Sequence, residues 1–297
     1  VSTGLCYAEL ASTYPVAGGA QYYSMKAFGS FHGFVAGWGL MLDYTIDIAL
    51  FALASTGYLG FFAKVIWNTD ALLVSPYYGL VAIFMVLVLV VLNFLGLKYS
   101  SRLNTLFVTL SLLTLGIIIL LGLPQVILNG SLVNWVSDIK QLGTSPRWDG
   151  FIYAVSLAMV SYIGIESISQ AAEETRHPAK VIPSATKAAI VAVIVIAIAL
   201  SLLSVTLIPP SITAGEAQKP VLAITNQLSM IGPVFTIWAA FMGFAICYVS
   251  TNTGVIGVSR VTFSMGRLNL FPKAFGRIHS HFRTPYVTII LFSSIAC

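Results

Sequence analysis

Long apolar runs without charges dominate the pattern of hydrophobic and polar positions along this chain. The clearest examples are residues 80–97 and 188–208, which are apolar on every side. A transmembrane β-strand would instead alternate apolar and polar residues over roughly ten positions. In hydrocarbon, a run of about 20 residues satisfies its own backbone hydrogen bonds only as a helix. The pattern therefore predicts an all-α, polytopic membrane protein built as a helical bundle.

Clusters of Pro, Gly and Asn separate these runs and mark the connections between helices. Six spanning helices are predicted, at residues 34–62, 77–97, 104–125, 150–171, 184–208 and 233–264. The segment 220–231 is predicted to form a short amphipathic helix. The apolar runs 1–14 and 285–297 are too short to span a membrane, and we interpret both as helices cut by truncation. Since no soluble domain is evident, residues 1–297 are expected to form one membrane domain.

The composition agrees with this interpretation. Hydrophobic residues make up 58% of the chain and charged residues 8%, whereas a soluble domain carries about 25% charged residues. So few charges cannot cover a water-facing surface, so the lipid bilayer is the expected environment. The three cysteines, Cys6, Cys247 and Cys297, lie in or beside apolar runs. They show neither a disulfide framework nor metal-ligand spacing, and no metal site is predicted.

The basic residues fall into two sets when successive helices alternate in direction. Eleven of the 15 Lys and Arg residues belong to one set, including Arg176 and Lys180 in the polar connector 173–183. By the positive-inside rule, this set faces the cytoplasm. The bias accounts for the net charge of +5, and no basic aromatic patch indicates a nucleic-acid partner. We expect a multi-pass protein of the plasma membrane.

Three carboxylates lie inside predicted spans, namely Asp43, Asp47 and Glu166. An ionisable group at the centre of a membrane helix costs about 2.5–3.5 kcal/mol on insertion scales, which makes it a candidate for function. Asp43 and Asp47 are four residues apart and therefore share one helix face. They are interpreted either as part of a cation or amine path, or as a structural pair bonded to neighbouring helices.

The predicted span 150–171 contains the sequence SYIGIES at 161–167, where Gly, Ser and a carboxylate meet near its middle. Gly costs about 1 kcal/mol relative to Ala within a helix, and Ser competes for the backbone hydrogen bonds. We therefore expect the helix to break here. A break at that depth is tolerated where it lines a cavity or is buried in protein, and broken helices bind substrates in transporters. Simple packing through small residues is the alternative.

Three stretches carry a resemblance to a known family. They are YPVAGG at 14–19, SYIGIES at 161–167 followed by AAEETRHPAKVIP at 171–183, and SRVTFSMGRLNLFPKAF at 259–275. In this order and spacing, the chain resembles the amino acid–polyamine–organocation permease family. The second stretch is the most specific of the three.

The resemblance implies a fold with two inverted five-helix repeats within twelve helices. On that pattern the chain runs from the second helix to the ninth, and 150–171 is the broken sixth helix. It also implies a substrate site at the break, formed by Ser161, Tyr162, Ile163, Gly164 and Glu166. Backbone carbonyls around 161–163 would receive the substrate's amino group, and Tyr162 would help to close the pocket. The first helix of the family, which holds the substrate carboxylate, would lie outside this chain.

Ion coupling is also suggested by the resemblance. Some proton-coupled members carry a lysine in the fifth helix where this chain has Ser111, and sodium-coupled relatives bind the ion with hydroxyls at about the positions of Ser250 and Thr251. Hydroxyl oxygens suit a hard cation. Coupling to Na⁺ or H⁺ and ion-independent exchange are all open. The alternative is that these hydroxyls bond back to their own helix.

The function predicted is secondary transport of amino acids or related amines, by ion symport or exchange. No nucleotide-binding loop, metal cluster or nucleophile–base arrangement is visible, so neither an enzyme nor a bound cofactor is expected. A membrane sensor or accessory subunit built on a transporter fold is the alternative. The oligomeric state cannot be read from the pattern.

Overall fold

The computed structural model describes residues 2–16, 18–95, 97–128, 148–158, 164–170, 172–208, 220–228, 233–280, 282 and 284–297. These residues are mostly helical and contain no strand. The helices, in chain order, are α1 (Ser2–Thr13), α2 (Ala20–Phe28), α3 (Ser30–Trp67), α4 (Tyr77–Leu95), α5 (Leu97–Leu128), α6 (Trp148–Ala158), α7 (Ile165–Gln170), α8 (Pro178–Leu207), α9 (Pro220–Gln227), α10 (Pro233–Arg267) and α11 (Tyr286–Ala296). The predicted all-α architecture is confirmed.

Within the described part of the chain, α3, α4, α5, α8 and α10 are long and apolar enough to cross a membrane. They correspond to five of the six predicted spans. The sixth, 150–171, is not one continuous helix, because Gly164 has a φ of +99° and α7 begins at the next residue, Ile165. The predicted short helix at 220–231 is present as α9, which ends at Gln227. The protein is thus an integral, multi-pass membrane protein.

The structure differs from the prediction at the start of α8 and at α2. Residues 178–183 were expected in a connector, but α8 begins at Pro178. Proline fits the first position of a helix because the N–H that it lacks would have no partner there. The nine-residue helix α2 was not predicted, since it is too short to show a clear apolar period. Its ends are set by Gly19 and Gly29, whose φ angles are +50° and +93°.

Helices α3 and α10 form the centre of the bundle. Their buried side chains pack with those of α4 and α11 in one apolar cluster, which includes Tyr44, Ile48, Val255 and Val258. Small residues on α10 let the two helices approach closely. A methyl group added to Gly254 would lie 2.9 Å from Cγ1 of Ile48, and one added to Gly257 would lie 2.6 Å from Cε1 of Tyr44.

Helix α8 lies at the periphery. Only 11% of its most apolar 18-residue stretch is buried, against 61% of the corresponding stretch of α10. Val191, Val195 and Ile198 are exposed along one face of α8 at helical spacing. An exposed apolar face of this length suits contact with lipid.

Candidate functional site

The chain between α6 and α7 is interrupted at Gly164. Its φ of +99° is a conformation that L side chains rarely adopt, and glycine reaches it without a steric penalty. Helix α7 starts at the next residue, Ile165. The predicted interruption is therefore present. The predicted contacts Ser161, Tyr162 and Ile163 lie outside the residues that the structure describes, so their role as substrate ligands stays a prediction.

The Glu166 carboxylate is bound to the protein itself. The backbone N–H of Gly164 donates to both of its oxygens, at 3.3 Å to Oε1 and 3.2 Å to Oε2. The Tyr44 hydroxyl donates to Oε1 at 2.7 Å. Only 8% of Glu166 is exposed. A carboxylate in the first turn of a helix is favoured by the free N–H groups there. Glu166 therefore holds the start of α7 against α3, and its predicted contact with a substrate stays a prediction.

Tyr44 is the centre of this hydrogen-bond network. Its oxygen accepts a hydrogen bond from Nε2 of Gln170 at 2.7 Å and lies 3.0 Å from the Ser167 hydroxyl. With its own proton directed to Glu166, the tyrosine uses all of its hydrogen-bonding capacity. The network joins two segments that lie more than 120 residues apart in the chain. Networks of this kind rigidify a buried site, although the buried Oε1 of Gln170 has no hydrogen-bond partner among the described residues.

A cavity of about 270 Å³ lies beside the interruption. It is bounded by α3, α7, α8 and α10 together with Gly164. Its lining is largely apolar, with a few polar groups: Tyr44, Asp47, Phe51, Gly164, Ile165, Ile168, Ala189, Val193, Ser250, Thr253 and Gly254. Ligand pockets are typically about 300–1,000 Å³ and combine apolar walls with a small number of polar groups. This cavity has that character and suits a small ligand.

The two aspartates of α3 differ in their surroundings. Asp47 lines the cavity and is 6% exposed, whereas Asp43 is half-buried and does not line it. No hydrogen bond or ion pair joins either carboxylate to another residue within the described ranges. The two share a helix face, as the spacing predicted, but only Asp47 reaches the cavity.

The hydroxyl groups predicted to bind a cation are separated in the structure. Ser250 lines the cavity, and its hydroxyl donates to the carbonyl of Ile246 at 3.0 Å. Thr251 donates to Cys247 at 3.0 Å, and Ser111 lies within 3.4 Å of the Met242 carbonyl. Neither Thr251 nor Ser111 lines the cavity. The structure thus brings Asp47 and Ser250 together, and leaves Thr251 and Ser111 apart from them.

A second polar cluster lies on the far side of α10. The Asn93 side chain donates to Oδ1 of Asn252 at 2.6 Å, and Asn252 donates to Oδ1 of Asn104 at 2.8 Å. We call this chain of amides the asparagine ladder; it connects α4, α10 and α5. Asn93 and Asn252 are each 1% exposed. The sequence analysis did not single out this ladder, although an asparagine inside each of three apolar spans was a usable signal.

Sequence reasoning also missed Tyr44, Phe51 and Thr253. On α3, Tyr44, Asp47 and Phe51 follow the spacing i, i+3, i+7, which places them on one face. The sequence analysis assigned only Asp43 and Asp47 to one shared face of this helix. The tyrosine could have been added from spacing, but its partner Glu166 could not, because nothing local relates residues 44 and 166.

Comparison with known proteins agrees with this architecture. The sequence profile of the amino acid permease family matches residues 1–297. The chain is 26% identical to a branched-chain amino acid permease of Bacillus subtilis (strain 168), over 98% of this chain and 62% of that protein. It is 27% identical to a methylthioribose transporter of the same strain, over 95% of this chain and 60% of that protein. It is 28% identical to a low-affinity putrescine importer of Escherichia coli (strain K12), over 99% of this chain and 63% of that protein.

The chain thus spans about three fifths of the length of the curated relatives that it matches. All three relatives are named for transport and none for an enzymatic reaction, in agreement with the prediction from sequence. The substrates for which these three relatives are named differ in charge and in chemical class.

Proposed function

The chain belongs to the amino acid permease family, and from that premise we propose that it forms the substrate-binding part of a secondary active transporter of amino acids or related amines. The observation that carries this proposal is the cavity beside the interruption at Gly164. It lies between helices long enough to span the membrane, and it is bounded by both apolar walls and a buried carboxylate.

The interruption would supply polar groups for a ligand. Where a membrane helix stops and restarts, backbone N–H and C=O groups lose their partners within the helix and become available to a substrate. By the family resemblance, carbonyls around 161–163 receive the substrate's amino group. The bonds from Tyr44 and Gly164 to Glu166 keep α7 in place beside the cavity. Glu166 would thus act as a positioning residue for the broken segment.

Transport would be driven by ion symport or by exchange of substrates. The Asp47 carboxylate and the Ser250 hydroxyl both line the cavity, where oxygen groups of this kind would serve either a coupling ion or a cationic group of the substrate. A ligand and a coupling ion in one cavity would be bound and released together. Varying the gradient and the transported compound independently would distinguish the coupling mode from the substrate preference.

The test is transport by the full-length protein in proteoliposomes. Uptake of labelled amino acids and amines is measured under a sodium gradient, a proton gradient, or with internal substrate alone. We expect saturable uptake of one class of compound under at least one condition. Correctly inserted, folded protein that takes up no compound under any condition would contradict the proposal and favour a sensor or accessory subunit.

Gly164→Ala tests the site itself. No described atom lies within 4 Å of the added methyl group, so the change acts through the backbone, where φ near +99° costs an L residue about 1–2 kcal/mol. We expect uptake to fall at least tenfold. Gly116→Ala, in the middle of α5, also adds a methyl group with no described neighbour within 4 Å but at ordinary φ. It should retain uptake. An equal loss of uptake in both variants would show that the backbone conformation at Gly164 has no special role in the site.

A further inference from the structure

We propose that the substrate is a cationic alkylamine, a basic amino acid or a short diamine, whose terminal ammonium group binds the Asp47 carboxylate. This inference rests on the proposed transport function and narrows its substrate class. It is carried by one contrast, between a buried carboxylate that has partners and one that has none.

Asp47 lies near the middle of α3 and lines the cavity at 6% exposure. Across the described residues, its side chain has no hydrogen-bond donor and no cationic neighbour. Buried charges in proteins are paired or neutralised, because removing them from water is unfavourable. A carboxylate held unpaired inside a membrane protein therefore indicates a ligand that brings the missing positive charge.

Glu166 does not offer an unpaired carboxylate to a ligand in the cavity. Its two oxygens accept hydrogen bonds from Tyr44 and from the backbone of Gly164, and it does not line the cavity. The negative charge that remains available to a ligand in the cavity is that of Asp47.

The walls favour an organic cation over a bare metal ion. Phe51, Ile165, Ile168 and Val193 offer apolar surface, which suits methylene groups and not the close shell of oxygens that a metal ion requires. The aromatic ring of Phe51 adds a surface that attracts ammonium groups.

Two hydroxyls can complete the ammonium site. Ser250 and Thr253 each donate a hydrogen bond to a carbonyl of their own helix. Each oxygen keeps lone pairs that can accept from an ammonium group, which has three donors and no acceptor.

The cavity runs between Asp47 and Gly164. A ligand whose cationic end binds Asp47 would place its alkyl chain along the apolar lining of the cavity, towards Gly164. A neutral amino acid of the same length would leave the Asp47 carboxylate desolvated and unpaired. The site would therefore discriminate strongly against it, as sites with buried polar groups do when the matching group is missing.

The matched probes are lysine and norleucine, which differ at the end of the side chain in one ammonium group, with putrescine and butylamine as a second pair. The full-length protein is assayed in proteoliposomes by exchange, without an ion gradient. We expect lysine or putrescine to be preferred over its neutral or singly charged counterpart by at least about thirtyfold, the range seen when one partner of a desolvated charge pair is removed. The two pairs also distinguish a basic amino acid from a diamine.

Asp47→Asn should abolish this preference by lowering lysine exchange to the level of norleucine exchange, and Asp47→Glu should retain it. Asp70→Asn is the matched control, because Asp70 pairs with Lys64 at an exposed position. An unchanged lysine-to-norleucine ratio in Asp47→Asn would overturn the proposal. In parallel uptake assays with a sodium or proton gradient, an Asp47→Asn variant that keeps the preference and loses only its dependence on the gradient would also overturn the proposal, because it would assign Asp47 to coupling.

Equal rates of norleucine and lysine exchange by the wild-type protein would also overturn the proposal. This measurement does not depend on the folding of any variant. Absence of exchange for every compound is a different outcome, since it contradicts the transport function as a whole.

Discussion

Helix α10 carries two polar regions on opposite faces, and they are built in opposite ways. On one face, Ser250 and Thr253 line the cavity beside Asp47. On the other, Asn252 lies in the asparagine ladder, about 200° around the helix from Ser250 at 100° per residue. In the ladder, the amide hydrogens of Asn252 and Asn93 are donated to neighbouring side chains. In the cavity, the Asp47 carboxylate has no partner among the described residues.

This difference separates polar groups that hold helices together from polar groups kept for a ligand. In lipid, hydrogen bonds between helices stabilise association, because an unpaired polar group there is unfavourable. The amide donors of the ladder follow that rule across α4, α5 and α10, whereas the buried Oδ1 of Asn93 has no hydrogen-bond partner among the described residues. Asp47 departs from it, so its contribution to stability should be absent or opposite in sign. The following predictions test that distinction, beginning with the largest effect.

Tyr44→Phe should have the largest effect on stability. It removes the hydroxyl that bonds to Glu166, Ser167 and Gln170, and leaves a buried carboxylate short of a donor. We expect the free energy of unfolding to fall by about 3 kcal/mol, the scale for a hydrogen bond to a charged group. Thermal denaturation of the full-length protein in detergent measures it.

Tyr78→Phe is the matched control, since the Tyr78 hydroxyl makes one exposed hydrogen bond, to the Leu53 carbonyl at 2.7 Å. It should lower the free energy of unfolding by no more than about 1 kcal/mol. Equal effects of the two variants would mean that the network around Glu166 is not a stabilising unit.

Gly257→Ala should have the next largest effect on stability. The added methyl group would lie 2.6 Å from Cε1 of Tyr44, so that the two central helices must separate or the ring must move. Overpacking of this kind costs about 2 kcal/mol. Gly116→Ala has room for its methyl group, and its free energy of unfolding should stay unchanged or rise by up to about 1 kcal/mol. A melting temperature that falls for both would show that the close approach of α3 and α10 is not the cause.

Asn252→Leu breaks the middle of the asparagine ladder and leaves the amides of Asn93 and Asn104 without this partner. We expect a loss of about 1–2 kcal/mol in the free energy of unfolding. The preference between lysine and norleucine should not change, because the ladder faces away from the cavity. Thr251→Val is the control: it removes only a bond to the carbonyl of Cys247. A changed substrate preference in Asn252→Leu would link the two faces of α10.

Asp47→Asn should have the smallest effect, with the opposite sign. Since the carboxylate is buried and has no partner in the described part of the chain, its removal should leave the free energy of unfolding unchanged or raise it by at most about 1 kcal/mol. Asp70→Asn breaks an exposed ion pair with Lys64 at 3.0 Å and should lie within about 0.5 kcal/mol of the wild type. A fall of more than 1 kcal/mol in Asp47→Asn would place Asp47 with the structural groups.

The spans could be predicted from the sequence because apolar length is a local property. Five of the six predicted spans are present as helices, with ends that differ by a few residues. The interruption at Gly164 was also visible, since glycine and serine weaken a helix wherever they occur together. Helix α2 escaped prediction because nine residues hold too little periodicity.

The candidate site was predicted only in part. Residues 161–163 lie outside the described residues, so their role stays a prediction. Glu166 is held by Tyr44 from another helix, and its predicted contact with the substrate stays a prediction. Of the five residues suggested for a cation, only Asp47 and Ser250 line the cavity. Spacing showed that Asp43 and Asp47 share a face, and it could not show which of them meets the cavity.

The sequence by itself thus determined the membrane environment, the helical architecture, the family and the position of the interruption. Each of these follows from composition, from short-range backbone preference, or from motifs that are contiguous in the chain. The tertiary structure decided which polar groups are paired and which are free. That pairing depends on how closely α3 approaches α10 at Gly254 and Gly257, and on contacts between residues more than 100 positions apart. Such contacts depend on the packing of whole helices, which no local pattern records.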